Sequence, residues 1–422
     1  MSIGRRNLLS LAGKVGAGLA LFGGRAAAEG AQSTPQATGV VPAPGANPGP
    51  LGYVPVVAPN GATLPFTMKD GVKEFHLTAE VIKHEVAPGM VITAWGYNGR
   101  TPGPVIECVE GDRVRFFVHN KLPERTSVHW HGIFLPNGMD GVAGLNQPHI
   151  EPGETYVYEF TLRQHGIHMY HPHSDEMVQM AMGMTGFFVI HPRVPETPRV
   201  DRHFLIMLAT WFVAPGTSVP NPMIMNDFNL FTFNSRAWPG TAPLVVKKGD
   251  RVRFSFGNLS MDSHPIHVHG HRYWHVATDG GTIPPSARIP MTTIDVPVGT
   301  TQTMELVADA PGDWAFHCHK SHHTMNPMSH DIPNMIGVPQ GKLEDRVKKV
   351  LPGYMAMGEK GMGGMMDMGR PKNTLPMMAG SGPFGPIEMG GMFTVLKVRE
   401  GITTYDDPGF YVHPPGTIAR KV

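Results

Sequence analysis

The stretch GDRVRFFVHNKLPERTSVHWHG, residues 111–132, returns later in the chain as GDRVRFSFGNLSMDSHPIHVHG, residues 249–270. Both copies open with Gly-Asp and continue with alternating apolar residues, the pattern of a half-buried β-strand. Both end in His-x-His, and the first histidine, His129 or His267, stands 18 residues after the first glycine. A repeat that keeps one register over this length predicts two domains of the same fold.

A second pair of segments repeats in the same order. GETYVYEFTLRQHGIHMYHPH, residues 153–173, corresponds to GTTQTMELVADAPGDWAFHCH, residues 299–319. Runs such as TYVYEFTL (155–162) and GFFVIHP (186–192) lie between Gly, Pro and Asn turns, which is typical of sandwich strands. Each half of the chain therefore carries two His-x-His pairs at corresponding places: His129/His131 and His171/His173 in the first half, His267/His269 and His317/His319 in the second.

The composition favours an all-β chain. Its 422 residues include 51 Gly and 41 Pro, which indicates many turns and few long helices. Charged residues make up 16% of the chain, against roughly 25% in an average globular protein. A net charge of +1 gives no reason to expect a polyanion as partner, so nucleic acid is not expected.

The first residues have the features of an export signal. Paired arginines at Arg5 and Arg6, a short apolar run and three alanines at 26–28 predict a twin-arginine signal peptide over residues 1–28. Residues 29–64, rich in Ala, Pro, Gly and Gln, predict a flexible leader. The chain is therefore expected in the periplasm.

Two cysteines are too few for a disulfide framework in an exported protein. Cys108 lies in the apolar, strand-like PVIECVEGD, where a small buried hydrophobe is the expected role. Cys318 lies between His317 and His319, so its role needs a separate explanation.

The four His-x-His pairs predict a metal site. In a strand, two histidines separated by one residue point to the same face, so each pair can hold a metal ion from one side. A purely structural role for these histidines would have to apply to each of the four pairs independently. Eight imidazoles without a nearby carboxylate suit copper or, less readily, zinc, rather than magnesium or calcium.

The second half of the chain has ligands that the first half lacks. Alignment of the two copies places His264 over Thr126 and Cys318 over Pro172, while His323 falls near Met177. Two imidazoles and one thiolate, with a weak and distant thioether, form the trigonal site of blue copper electron-transfer proteins. Cys318 is therefore predicted to hold an electron-transfer copper, while its two neighbours point the other way to different coppers.

Four motifs in chain order resemble the copper-binding signatures of multicopper oxidases: HWHG (129–132), YHPH (170–173), HPIHVHGH (264–271) and HCHKSHH (317–323). YNGRTPGPVIECVEGD and MDGVAGLNQPHIEPGETY are also similar to the first domain of that family. The resemblance covers residues 70–330 or so. It implies an all-β fold of cupredoxin-like Greek-key β-sandwich domains, four coppers, and one-electron oxidation of a substrate coupled to four-electron reduction of O2 to water.

The resemblance also implies a role for each motif residue. His129 and His267 match the type 2 copper ligands, and His264, Cys318 and His323 match the type 1 ligands. The six type 3 ligands correspond to His131, His171, His173, His269, His317 and His319. Asp140, in MDGV, matches an acid that the family places near the trinuclear cluster for proton delivery, although an Asp before Gly141 is also common in turns.

The chain has no room for the ligand-free middle domain of the common family form. It is similar to two-domain, or small, laccases, in which domain one of one subunit and domain two of the next share a cluster, so a homotrimer is expected. The expected divisions are a first cupredoxin domain at 65–195, a second at 196–340, a Met/Gly-rich loop or insertion at 341–391, and a final strand with the C-terminal tail at 392–422.

Two candidates remain for the axial type 1 ligand. Met328 stands ten residues after Cys318, which is the family spacing. Met392 begins MFTVLKVRE, which is similar to the final strand that normally starts at the axial methionine. The methionines of 341–391 and of MVQMAMGM (177–184) are either soft ligands for Cu(I) or apolar surface in a Gly-spaced loop.

The sequence thus predicts a copper-dependent oxidoreductase with O2 as acceptor, of the laccase or cuprous oxidase type. Cu(I), phenols and other metal ions are the donors that the resemblance implies. Two alternatives are weighed against it. A copper-storage protein has no need of Cys318 between two histidines, and a copper nitrite reductase carries its blue-site cysteine in the first domain and lacks the cluster.

Overall fold

The computed structural model describes residues 53–326, 346, 349–350 and 372–422. The predicted signal peptide, most of the predicted leader and most of the Met/Gly-rich segment lie outside the described residues, as does Met328. In the described part of the chain, no helix has the length and apolar character needed to cross a membrane.

The first half of the chain forms two sheets. One contains β1, β2, β5 and β7 in that order, with β3 paired to β2, and the other has the order β4-β9-β8-β6. The strands are β1 (Phe66–Lys69), β2 (Val72–Ala87), β3 (Met90–Tyr97), β4 (Ile106–Val109), β5 (Arg113–Asn120), β6 (His129–His131), β7 (Thr155–Thr161), β8 (Gly166–His171) and β9 (Gly186–His191). Helical structure here consists of a 3-10 turn, Asn137–Met139, and the helix α1, Glu176–Ala181.

The second half repeats this plan. One sheet has the order β11-β10-β13-β19-β15-β16 with β17 paired to β15, the other the order β12-β23-β20-β14-β18, and β21 and β22 form a small hairpin. The strands are β10 (Arg202–Trp211), β11 (Leu230–Phe233), β12 (Leu244–Lys247), β13 (Arg251–Asn258), β14 (His264–Val268), β15 (Tyr273–Thr278), β16 (Gly281–Thr282), β17 (Ile289–Met291), β18 (Thr293–Val296), β19 (Thr300–Val307), β20 (Gly312–Cys318), β21 (Ser381–Gly382), β22 (Gly385–Pro386) and β23 (Phe393–Arg399). Two 3-10 turns, Pro285–Ala287 and Ser321–Thr324, complete it.

Each pair of sheets encloses its own apolar core. Phe75, Phe116 and Trp130 are buried in the first core, and Cys108 packs there as a small hydrophobe, as the sequence predicts. The second core contains aromatic and aliphatic side chains of both sheets together with Cys318. Alternating strands with one face inward produce this arrangement, so the predicted all-β sandwich architecture is confirmed.

The two sandwiches also pack on each other. Ile167, Met169 and Phe187 of the first half form one buried cluster with Leu205 and Met207 of the second.

The segment that precedes β1 adds to this seam, because Val57 exchanges backbone hydrogen bonds with β10 through His203 O and Leu205 N at 2.8 and 2.9 Å. The hairpin of β2 and β3 contributes a further apolar cluster against the second half.

Candidate metal centres

The first group of histidines lies where β6 pairs with β8. His129 stands opposite His171 in the antiparallel register, and the ring centroids of neighbouring histidines are 5.2 to 6.3 Å apart. His131 Nδ1 and His171 Nε2 approach to 3.3 Å. These residues, His129, His131, His171 and His173, are called the first quartet.

Strand alternation explains why His129 and His131 face away from the apolar core. In β6 the two histidines are half-exposed, whereas Trp130 between them is fully buried in the core. His129 Nδ1 donates to the carbonyl oxygen of Asp140 at 2.7 Å, and His171 Nδ1 donates to Pro172 O at 2.9 Å. Such backbone bonds set the tautomer and leave Nε2 of both rings available as a metal ligand.

Two carboxylates stand beside the first quartet, so the expectation that no carboxylate lies near the histidines is wrong for this quartet. Asp140 Oδ1 is 3.5 Å from His129 Nδ1, and Asn146 donates to Asp140 Oδ2 at 3.2 Å. Glu176, which the sequence analysis did not single out, has a carboxylate oxygen 3.5 Å from His173 Nε2. Its position depends on α1, and the only sequence signal was an acid three residues after a His-x-His pair.

The second group of histidines repeats this geometry on β14 and the end of β20. His267 stands opposite His317, and neighbouring ring centroids lie 4.8 to 5.6 Å apart. His269 Nε2 is 3.1 Å from His317 Nε2. His267 Nδ1 donates to Thr292 O at 2.8 Å and His317 Nδ1 to Cys318 O at 2.7 Å. The second quartet consists of His267, His269, His317 and His319.

On the opposite, core-facing side of these strands lie His264 and Cys318, and the 3-10 turn after β20 adds His323. These three residues are here called the redox trio. The Cys318 Sγ atom is 3.9 Å from His264 Nδ1 and 3.6 Å from His323 Nδ1, and the two Nδ1 atoms are 3.0 Å apart. All three side chains are buried, and their ligand atoms lie within 4.8 Å of one another. Because alternate residues of β20 face opposite sides, Cys318 belongs to the trio and His317 to the second quartet.

Burial determines the protonation of the trio. Desolvation lowers the pKa of His264 to about 4 and that of His323 to about 3, so both rings are neutral at neutral pH. Desolvation raises the pKa of Cys318 to about 12, so without a cation the thiol keeps its proton. A metal ion that replaces this proton would find one thiolate and two neutral imidazoles at close range, which is the donor set of a blue copper site.

The quartets also fit copper. Burial lowers the pKa of His171 to about 3 and lowers the pKa values of His131, His269 and His317. Neutral, clustered imidazoles are the ligands that copper prefers over hard cations. The donor chemistry of both quartets is therefore that of a copper site rather than of a calcium or magnesium site.

The structure describes one of the two candidates for the axial ligand, Met392. Met392 is fully buried in the core that contains Cys318. Its amide donates to His323 O at 2.9 Å, and its carbonyl accepts from the Cys318 amide at 3.1 Å. Met392 is thus held directly between two members of the trio, whereas Met328 lies outside the described residues.

The two quartets are not brought together within one chain. Among the described residues, no hydrogen bond or ring contact joins a member of the first quartet to a member of the second. Each quartet is thus an open, one-sided set of ligands, while the trio is complete in a single chain.

Comparison with known proteins agrees with this picture. Two family models, both described as multicopper oxidase, match residues 79–195 and 214–337. Copper resistance protein A from Escherichia coli is 47% identical over 114 residues, which are 27% of this chain and 18% of that protein. The chain therefore aligns with less than a fifth of that relative's length.

Solved structures show the same fold. The multicopper oxidase mgLAC has a TM-score of 0.57 at 27% identity, over 79% of this chain and 88% of that chain. The blue copper oxidase from Nitrosomonas europaea has a TM-score of 0.58 at 24% identity, over 77% of this chain and 85% of that chain. Both sandwiches are cupredoxin-like, which confirms the predicted fold class.

Proposed function

This chain belongs to the multicopper oxidase family, and we propose that it oxidises a reducing substrate one electron at a time and uses the electrons to reduce O2 to water. Bound copper would supply the electron-transfer chemistry at the redox trio and the O2 chemistry at the quartets. The protein's own part is to hold ligands in two kinds of site and to keep those sites a few covalent bonds apart.

The position of Cys318 carries this proposal. Its sulfur faces His264 and His323 inside the core, while the residues before and after it, His317 and His319, belong to the second quartet. One strand end therefore connects an electron-transfer site to an O2 site. A storage protein requires clustered ligands but no such connection between two kinds of site.

We propose four coppers for each functional unit: one at the trio, and one type 2 and two type 3 ions between a first and a second quartet. Because the quartets make no contact within the described chain, the second quartet of a neighbouring subunit is the proposed partner of each first quartet. A closed ring of identical subunits satisfies this requirement, and a homotrimer is the proposed assembly.

Met392 is the proposed axial ligand. Its backbone contacts with His323 and Cys318 support this choice over Met328. A Met392→Leu substitution, which keeps the core volume, should shift the visible spectrum of the blue site, whereas Met328→Leu should leave it unchanged. The opposite pattern would assign the ligand to Met328.

The proposed donors are Cu(I) and phenols, with other metal ions as further candidates. Partial similarity to a protein named for copper resistance supports Cu(I), and the resemblance of the copper-binding motifs to those of small laccases supports a phenol. The proposed location is the periplasm, on the basis of the paired arginines and the alanines that follow the apolar run.

Oxygen uptake tests the proposed function. The copper-loaded protein would be supplied with a counted amount of a one-electron donor, with Cu(I) and a phenol in parallel. One O2 consumed for every four electrons is the expected ratio for complete reduction to water. Copper-loaded protein that consumes no O2 would contradict the oxidase and leave copper storage as the function to test.

A further inference from the structure

Two further histidines meet on the outer face of the first sandwich. His76 in β2 and His119 in β5 belong to the sheet that does not carry the first quartet. The neighbours of His76 in the chain, Phe75 and Leu77, are buried in the first core, so the exposed His76 side chain points away from that core. His76 Nδ1 and His119 Nε2 are 3.3 Å apart. This pair of rings is separate from the redox trio and from both quartets.

The strand register brings the two rings together. Phe117 of β5 stands opposite His76 in the parallel pairing of β2 with β5. His119 follows Phe117 by two residues and therefore points to the same face of the sheet. The His76 ring stacks on Phe117 at a centroid distance of 4.9 Å. This contact limits rotation of the His76 ring and keeps its Nδ1 atom beside His119.

The backbone at His76 is held by a side chain of the neighbouring turn. On the side of β2 away from β5, β1 pairs with β2 up to Phe75 and β3 pairs with it from Ala79 onward. Asn98 bridges the interval, since its amide group donates to His76 O at 3.0 Å and its carbonyl oxygen accepts from Thr78 N at 2.7 Å. The position of His76 is therefore set before any ligand binds, which lowers the entropic cost of binding.

Thr155 determines the tautomer of His119. Its hydroxyl oxygen lies 2.7 Å from His119 Nδ1, and a ring that donates from Nδ1 keeps a lone pair on Nε2, the atom that faces His76. Burial and, to a smaller extent, His76 and Lys121 lower the pKa of His119, which favours the neutral ring at neutral pH. In the metal-free chain His76 Nδ1 donates to this lone pair. A metal ion would take the lone pairs of both rings, and the His76 proton would move to its Nε2 atom.

The distance between the two nitrogens fits two ligands of one ion. Nitrogen atoms that bind a tetrahedral zinc ion at about 2.05 Å lie about 3.3 Å from each other. His131 Nδ1 and His171 Nε2 of the first quartet are also 3.3 Å apart. Two neutral imidazoles favour borderline cations such as Zn(II) and Cu(II) over Ca(II) and Mg(II). A site with two protein ligands and water in the other positions should bind less tightly than the trio and fill after it.

We propose that His76 and His119 bind a borderline divalent cation, zinc or cupric ion, on the outer face of the first sandwich, and that Thr155 supports His119 as a ligand. Binding at this site involves no electron transfer and does not depend on the proposed oxidase function. The bound ion would link β2 to β5, so it should stabilise the folded chain.

Zinc binding to the copper-loaded protein tests this site. Copper then occupies the trio and the quartets, and zinc does not displace it, because imidazole sites bind Cu(II) more tightly than Zn(II). Competition with a chromophoric chelator measures the affinity and the number of zinc ions bound. The wild type should bind one zinc ion per chain whose affinity falls at least about tenfold in His76→Gln and in His119→Gln. His413→Gln removes an exposed histidine of the C-terminal tail and should leave zinc binding unchanged.

Thr155→Val tests the hydrogen bond that supports the site. It keeps both imidazoles and removes the hydroxyl group, so the zinc affinity should fall about tenfold. Zinc should raise the Tm of the wild type and leave the Tm of His76→Gln unchanged. Cu(II) in excess should displace the zinc ion, whereas Mn(II) should not.

Equal zinc affinity and stoichiometry in the wild type and in both glutamine variants would show that the two histidines bond only to each other, and the proposal would be wrong. Wild-type affinity in Thr155→Val would overturn the role of Thr155. Without zinc, both glutamine variants should keep the Tm and the O2 uptake of the wild type, since His76 and His119 contact none of the metal centres described above.

Discussion

Cys318 is the residue on which both kinds of site depend. Its thiolate belongs to the trio, and a serine hydroxyl in its place does not ionise to bind copper. Cys318→Ser should therefore abolish the intense visible absorption of a copper–thiolate bond and remove one copper per chain, while the quartets keep theirs. Absorption spectra and metal analysis of the purified variant measure both effects.

Cys108 provides the control for this substitution. It is the other free, buried cysteine, and it packs in the first core far along the chain from the trio. Cys108→Ala should keep the colour and the copper content. A colourless Cys108→Ala protein, or a blue Cys318→Ser protein, would contradict the assignment of the trio.

Asp140 has two contacts with His129, through its backbone carbonyl and through its carboxylate. Asp140→Asn keeps the backbone contact and removes the proton-carrying group. If the carboxylate supplies protons for O2 reduction, turnover should fall by about a hundredfold or more at unchanged copper content and colour. Asp70→Asn, in an exposed turn, should leave turnover unchanged, and loss of copper from Asp140→Asn would indicate a structural role instead.

Much of the site is visible in the sequence because its ligands come from repeated strands. Strand alternation assigns His317 and Cys318 to opposite faces without any structure. Glu176 could not be found in this way, since its position depends on where the short helix α1 packs. Met328 and Met392 are equal candidates from the sequence, and the backbone contacts of Met392 with His323 and Cys318 support the proposal of Met392.

At the scale of elements, the hairpin of β2 and β3 joins the two sandwiches. Ile92, in β3, is fully buried in a cluster that includes Trp211 and Leu230 of the second half. Leu230 precedes Phe231, which stacks on His323. Packing at the hairpin is therefore linked through β11 to the redox trio.

Ile92→Ala tests the packing of the hairpin against the second half. It should lower the free energy of unfolding by about 2 to 5 kcal/mol, the range for truncation of a buried aliphatic side chain. Val91, the preceding residue, is 40% exposed on the opposite face of the strand, and Val91→Ala should change stability by less than about 0.5 kcal/mol. Denaturant unfolding measures both, and equal effects would show that the hairpin does not bury Ile92 in solution.

The main strands follow from the sequence pattern, and α1 does not. The segments 113–120 and 251–258, the alternating parts of the two repeated stretches, are strands, since alternation and flanking turns define both ends. The helix Glu176–Ala181 lies in a methionine-rich segment that was predicted only as soft ligand or apolar surface. Six residues are too few for a periodic signal, and Gln179 holds the helix through tertiary bonds to Thr126 and Arg125 that no local pattern reveals.

At the scale of the whole molecule, several neutral histidines lie along the seam between the sandwiches. Burial lowers the pKa of His84 and of His168 to about 4, and lowers that of His203 far below its usual value. His84 bonds to Ser235 O across the seam at 2.7 Å. These rings are packed and bonded in their neutral form.

Stability of the copper-free chain should therefore fall as pH decreases from about 6.5 towards 4. In that range the unfolded chain binds protons at these histidines and the folded chain does not, so protonation favours unfolding. His84 alone accounts for about 3 kcal/mol at the acidic end, and the buried ligands His171, His264 and His323 act in the same direction. His84→Gln should give a shallower pH dependence in urea unfolding, and the exposed His413→Gln should give the wild-type dependence.

The proposed trimer predicts the mass of the copper-loaded protein. Copper-loaded protein should have three chain masses by light scattering, because each first quartet needs the second quartet of a neighbour. Phe134 and Leu145 are 64% and 80% exposed, and they follow His131 and Asp140 by three and five residues in the chain. Both side chains are expected at the subunit contact, where exposed apolar groups become buried.

Negative charges at that contact should disrupt the trimer and affect the quartets but not the trio. Phe134→Glu with Leu145→Glu should give a monomer that keeps the blue colour, since the trio is complete in one chain, but lacks the other coppers and consumes no O2. Val412→Glu, at a position in the C-terminal tail that is 87% exposed, should leave the trimer intact. A monomer that carries its full copper content and consumes O2 would mean that both quartets close within one chain, which the described residues do not support.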